Sequence, residues 1–341
     1  YMAGWWAPAY PDALIMNNSG TSFYKAWETA YAVPARGVTS CDFDEDGDMD
    51  IYVSDYAQVP NTLWQNNGSG SFADVAGIFN VAGNPTPVSP ANYGYGHSIG
   101  SAWGDLDSDG DFDLFVGNLN HHDSRRSDDS KFYRNNGPGS SWHFTDVSNT
   151  AGLVWQESYA SPALADYDND GFLDMYLTAL YSGDNSVLYH NNGDWTFTDV
   201  TASTGLSGVG VTSAAAWGDF NNDGNMDLAT GNRVYINSGS NMHWLKVRLR
   251  NTNSSIAINR LAIGAQARII LDDGRVVTRQ VESGTGEGNQ NELALHFGLG
   301  DQITPVDVEV FWPLGPNGTT TYYNNADVDT TIEIDYANYA P

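Results

Sequence analysis

The sequence predicts an all-β protein: a β-propeller of about five blades over residues 1–240, then a small β-sandwich or barrel over residues 241–341. Three observations carry this reading. An aspartate-rich nine-residue loop occurs four times, an Asn-Asn-Gly turn recurs behind it, and no segment sustains a 3.6-residue apolar period.

The loops are residues 42–50 (DFDEDGDMD), 105–113 (DLDSDGDFD), 166–174 (DYDNDGFLD) and 219–227 (DFNNDGNMD). Short apolar runs precede them (GVTSC, SAWG, PALA, AAAWG), and strand-like runs follow (IYVSDY, LFVGNL, MYLTAL, LATGN). The second signature reads LWQNNGSGSFADV from Leu63, FYRNNGPGSSWHFTDV from Phe132, LYHNNGDWTFTDV from Leu188 and, shortened, VYINSG from Val234. An Asn-Gly pair between alternating runs predicts a hairpin. Each unit is then four short antiparallel strands, which is the pattern of a propeller blade. Trp103 and Trp217 precede equivalent loops by two residues and are expected in the repeat core.

An early copy of the turn, LIMNNSGTSFYKAW from Leu14, has no acidic loop before it. It supplies the outer half of a blade. Its inner strands can come from the chain's own C-terminal region, from a neighbouring subunit by strand donation, or from sequence upstream of Tyr1. Donation between subunits does not close and leads to a filament or surface layer. Past residue 240, Leu245 to Leu249 alternates, residues 265–271 and 276–281 flank an Asp-Asp-Gly turn, and residues 306–312 and 330–336 read as further strands.

Loop chemistry follows from spacing. Carboxylates at positions one, three, five and nine of a tight loop converge on one point, glycine at six permits the turn, and position seven offers its carbonyl. The expected cation ligands are Asp42, Asp44, Asp46, Asp48 and Asp50; Asp105, Asp107, Asp109, Asp111 and Asp113; Asp166, Asp168, Asp170, Phe172 (by its carbonyl) and Asp174; and Asp219, Asn221, Asp223, Asn225 and Asp227. Many hard oxygen donors in a flexible cage describe calcium better than magnesium, and the loops contain no His or Cys for zinc or copper. About four structural calcium ions are expected, the fourth held more weakly because Asn221 replaces an aspartate. The loops hold 18 of the 42 acidic residues, and four calcium ions would bring the net charge from -28 to -20.

That charge excludes nucleic-acid binding through a basic face. With no run of 18 apolar residues, no membrane span is expected. A lone cysteine, Cys41, leaves no internal disulfide. The chain opens on Tyr1 with no visible signal peptide, and a processed mature N-terminus or a trimmed chain accounts for that.

The paired loop and turn resemble FG-GAP or VCBS-type repeats, as in the integrin α-chain head, over roughly residues 12–240. The resemblance implies calcium-holding propeller blades. Beyond residue 240, the elements WLKVRL, IGA, HFGLG and WPLG resemble an ASPIC/UnbV domain, as in cartilage-acidic-protein-like sequences. The combination implies a secreted or cell-surface module that binds other extracellular proteins or glycans, in adhesion or as a scaffold, with no catalytic residues. Two other functions compete. A propeller lectin would use aromatic residues, with Trp5, Trp6, Tyr93, Tyr95 and His97 as candidates. A polysaccharide lyase would draw on Tyr93, Tyr95 and His97 with His121, His122, Arg125 and Arg126. Sequons stand at Asn17, Asn67, Asn253 and Asn317, and the turn itself accounts for the one at Asn67.

Overall fold

The apolar runs on either side of each acidic loop become the first two strands of a sheet, and the runs around each Asn-Asn-Gly turn become the outer two. The structure is a computed structural model that describes residues 10–18, 20–84, 86–89, 92–120, 128–255, 258–313 and 318–338. β1 (Tyr10–Asn18) and β2 (Ser22–Val33) form an N-terminal hairpin. The first blade is β3 (Ala35–Cys41), β4 (Asp50–Asp55), β5 (Thr62–Asn66) and β6 (Phe72–Asp74). A single helical turn, Ala76–Phe79, and the hairpin of β7 (Thr86–Ser89) and β8 (Asn92–Gly94) lead onward.

The second blade is β9 (His97–Gly104), β10 (Asp113–Leu119), β11 (Lys131–Asn135) and β12 (Phe144–Asp146). β13 (Tyr159–Ala165), β14 (Asp174–Ala179), β15 (Val187–Asn191) and β16 (Phe197–Asp199) make the third. β17 (Ala215–Gly218), β18 (Asp227–Thr230) and β19 (Arg233–Tyr235) make a three-stranded fourth. Within each, consecutive strands pair antiparallel.

Blades stack face to face, and the apolar core lies in the seams. Cys41, Phe43 and Tyr52 meet Trp103, Leu114 and Phe144 between the first two blades. Phe115 and Phe132 meet Leu164, Met175 and Phe197 at the next seam, and Tyr176 and Leu188 meet Trp217 and Leu228 at the last. Trp103 and Trp217 are thus core residues, 4% and 3% exposed.

The described residues contain these four repeat sheets and the β1–β2 pair. That hairpin is a sheet of two, and no C-terminal strand completes it among the described residues. It leans on the outer strands of the first blade, where the Trp27 ring meets Trp64 edge-on at 4.5 Å.

β20 (His243–Arg250), β21 (Gln266–Ile270), β22 (Val276–Gln280), β23 (Leu295–Gly300), β24 (Val306–Trp312), β25 (Thr319–Ala326) and β26 (Thr330–Asp335) form a sandwich of two sheets, ordered β22-β21-β24-β25 and β23-β20-β26. Val247, Ile269, Phe297, Val308 and Trp312 fill its own core.

The connection between β22 and β23 runs along the inner strands of the blades. Gly286 N–H donates to Ser101 O (2.8 Å), and Asn289 accepts from Ala215 N–H (3.0 Å) and donates to Pro162 O (3.1 Å). Asn291 accepts from Trp217 N–H (3.0 Å) and donates to Leu164 O (3.1 Å). Inner-strand backbone that would otherwise be unpaired is satisfied here. Gly100 allows the approach, because a Cβ there would overlap the backbone of Gly286.

The first Asn of the turn also sews blades together in the last three blades. Asn135 donates to Phe43 O (3.1 Å), Asn191 to Leu106 O (2.7 Å) and Asn237 to Tyr167 O (2.7 Å), each on the preceding blade. Asn191→Ala should cost about 2–3 kcal/mol, since it strips buried carbonyls of their donor. Asn192→Ala, at an exposed neighbour, should cost under about 1 kcal/mol. Denaturant unfolding of the two variants checks this, and equal losses would refute the clamp.

Candidate cation sites on the acidic loops

The four loops share one hydrogen-bond scheme. The position-one carboxylate accepts from the position-five N–H: Asp42 from Asp46 (3.0 Å), Asp105 from Asp109 (3.2 Å), Asp166 from Asp170 (3.1 Å) and Asp219 from Asp223 (3.0 Å). Position nine ties the loop to the turn. Asp50, Asp113, Asp174 and Asp227 accept from the N–H of Asn66, Asn135, Asn191 and Asn237 at 2.7–2.8 Å. Three strands of each blade therefore meet at one buried aspartate.

Part of each expected set comes together in the first three loops: positions one, three and nine in the first two, and one, three and five in the third. In each of the sets Asp42–Asp44–Asp50, Asp105–Asp107–Asp113 and Asp166–Asp168–Asp170, one oxygen per residue lies within 4.8 Å of the others. Several oxygens there are buried with no hydrogen-bond partner: Asp44 Oδ1, Asp50 Oδ2, Asp107 Oδ1 and Asp168 Oδ1. An unpartnered buried carboxylate oxygen is costly unless a cation meets it. The donor set is all oxygen at the first two loops and fits calcium.

Charge state tells the same story. Burial, above all, pushes Asp42 up to about 7, Asp50 to about 9, Asp105 to about 8 and Asp174 to about 7, and neighbouring carboxylates add to the shift. Asp113 and Asp166 are also raised by burial.

The protein brings cations and donors of its own, and these were not legible as site residues. The residue before each Asn-Asn-Gly turn lies beside the loop. Gln65 Nε2 donates to Asp44 (2.6 Å), Arg134 Nε is 3.0 Å from Asp107, and His190 Nδ1 is 3.3 Å from Asp168 and 3.2 Å from Asp174. Those carboxylates raise His190 to about 10. Hairpin register was the available signal: one step past the pairs Ile51–Trp64, Leu114–Tyr133 and Met175–Tyr189, these residues fall opposite position nine.

The sandwich contributes from the inner side. Arg279 is buried between the second and third loops, where Asp166 and Asp105 counter its desolvation. Thr278 N–H donates to Asp105 (3.0 Å), and Arg275 donates to Asp170 O (2.8 Å). Lys246 Nζ meets Asp219 at 2.7 Å and Glu292 at 3.1 Å, with the Lys246 and Asp219 side chains each 1% exposed. The fourth loop thus has Asn221 at position three and an ammonium on position one.

The aromatic and histidine candidates fall elsewhere. Trp5 and Trp6 lie outside the described residues, as do His121, His122, Arg125 and Arg126. Tyr93 sits in β8 with its side chain outside the description, and Tyr95 is half-buried just after that strand. His97 opens β9, its ring 4.6 Å from that of Tyr56, which carries the Arg36 guanidinium at 4.9 Å. His97 is thus at the opposite end of β9 from the acidic loop.

The FG-GAP-like repeat model matches residues 42–116, 105–177 and 176–230, each match taking in an acidic loop. This chain belongs to the FG-GAP-like repeat family. The FG-GAP blades are followed by a match to the ASPIC and UnbV model over residues 256–340, which takes in most of the sandwich. Among solved structures, the chain is similar to the V. cholerae biofilm matrix protein Bap1 at 11% identity and a TM-score of 0.35, over 86% of this chain and 62% of that one. The chain therefore spans less than two thirds of that protein's structure. No curated protein matches the sequence.

Two outcomes follow for the FG-GAP loops. Carboxyls raised from their usual 3.8 to about 7–9 favour the protonated fold, so their contribution is full below the unfolded value and lost as pH rises through the folded ones. The thermal midpoint in chelator should fall between about pH 5 and pH 9, and calcium should remove most of that fall. A chelated protein equally stable across the range would contradict the assignment. Lys246→Met should cost about 3–5 kcal/mol by leaving Asp219 buried and unpaired, and Asp219→Asn in the same chain should recover part of it, as read from chemical denaturation.

Proposed function

We propose that the protein is a secreted FG-GAP propeller whose loops hold structural calcium, and that it acts as an extracellular binding, adhesion or scaffold module. The observation that carries this reading is the set of buried, unpartnered carboxylate oxygens in the first three loops. A cation there would join the first two strands of a blade and, through the position-nine aspartate, the outer hairpin. This is the role that disulfides take in other extracellular domains. Extracellular modules commonly bind calcium at about 10⁻⁴–10⁻³ M, so sites of this kind load outside the cell. The fourth loop, with Asn221 and Lys246, is the weakest of the set in this reading. Its partners are other extracellular proteins or glycans, and the reading includes no catalytic step.

Chelator should lower the thermal midpoint sharply, and an unchanged midpoint would contradict structural calcium. Asp44→Ala and Asp168→Ala should each remove one ion from the count obtained by equilibrium dialysis and leave the other loops loaded. Absorbance from unsaturated products on uronate polymers would replace the adhesion reading with a lyase.

A further inference from the structure

The position just before the Asn-Asn-Gly turn carries a different residue in every blade: Gln65, Arg134, His190 and Ile236. The first three reach the acidic loop, whereas Ile236 is exposed. Their donor chemistry differs. Gln65 is neutral and already donates to Asp44, and Arg134 has no lone pair to offer a metal. Only an imidazole provides a nitrogen ligand.

Around His190 the geometry is that of a binding site. Its ring nitrogen and one oxygen each of Asp168 and Asp174 lie within 4.8 Å of one another, the one such group among the described residues that includes a nitrogen. Asp168 Oδ1 is buried without a partner. Position seven has changed in the same loop. Asp48, Asp111 and Asn225 stand there in the other loops, but the third loop has Phe172, with the Arg275 guanidinium 4.7 Å from its ring centre, so its position seven has only a carbonyl to offer. The third loop has therefore gained an imidazole beside an otherwise all-oxygen set. Calcium selects oxygen donors, whereas zinc, copper, nickel and cobalt gain from imidazole.

Building on the calcium reading of the loops, we propose that His190 makes the third loop a mixed nitrogen and oxygen site selective for a divalent first-row transition ion, while the first loop keeps an oxygen-only set suited to calcium. The residue before the turn thereby sets which cation each blade takes.

The test uses the full chain, stripped by chelation and dialysed against Co²⁺ in excess Ca²⁺, with bound metals counted by mass spectrometry and the visible spectrum recorded. The native chain should retain one Co²⁺ that calcium does not displace. His190→Gln, which copies the first blade, should lose that ion and its absorption and take up one calcium in its place, with its thermal midpoint in calcium unchanged. His190→Ile, which copies the fourth blade, should behave alike and serves as the second variant if the first folds poorly. Asp44→Ala should lose one calcium and no cobalt. Calcium-resistant Co²⁺ that is missing from the native chain, or that persists in both His190 variants, overturns the assignment and leaves structural calcium standing. A chain that holds Co²⁺ through His190 but takes up no calcium supports the assignment and removes the calcium reading instead.

Discussion

Burial of clustered carboxylates is the constraint on which the rest of this structure depends. Each blade gathers several aspartates at the bend between its first two strands, and burial there opposes their ionised form. Ionised at neutral pH, these groups call for positive charge or hydrogen-bond donors beside them. Three supplies are present or provided for. Backbone N–H groups of the loop and turn address most oxygens, side chains from the turn and the sandwich address others, and a cation meets the oxygens left unpartnered in the function proposed above.

The sandwich is more than an appended domain in this respect. Arg279 and Lys246 lie on its inner strands, and both are buried against loop aspartates. Asn289 and Asn291 run hydrogen bonds along the inner strands of the blades. Removing this domain would expose inner-strand edges and leave Asp219 without its ammonium. The blades and the sandwich are thus tied by charge and by backbone satisfaction, although each has its own apolar core.

The blade seams share a second device. A buried asparagine crosses to a carbonyl of the preceding blade while its own N–H holds the position-nine aspartate. Acidic loop, outer hairpin and neighbouring blade therefore meet within a few residues, so a change at the loop is felt at the seam. Amide side chains suit this place because they donate without adding charge to an already acidic region.

Local pattern was enough to define the blades. The acidic loops, the turns and the strands around them follow from periodicity and from the conformational needs of glycine and asparagine, which act over a few residues. Positions one and three of the first three loops lie together for the same reason, since alternate spacing on a tight bend leaves side chains little choice. Contacts over long separations were not legible. Nothing near Lys246 or Arg279 in the chain marks them as partners of Asp219 and Asp166, because residues far apart in sequence meet only after the sandwich docks. The place of residues 281–294 along the inner strands, and the turn residues Gln65, Arg134 and His190 leaning over the loops, were likewise decided by packing and register. Short-range geometry produces the acidic sites, and long-range docking determines which charges and donors complete them.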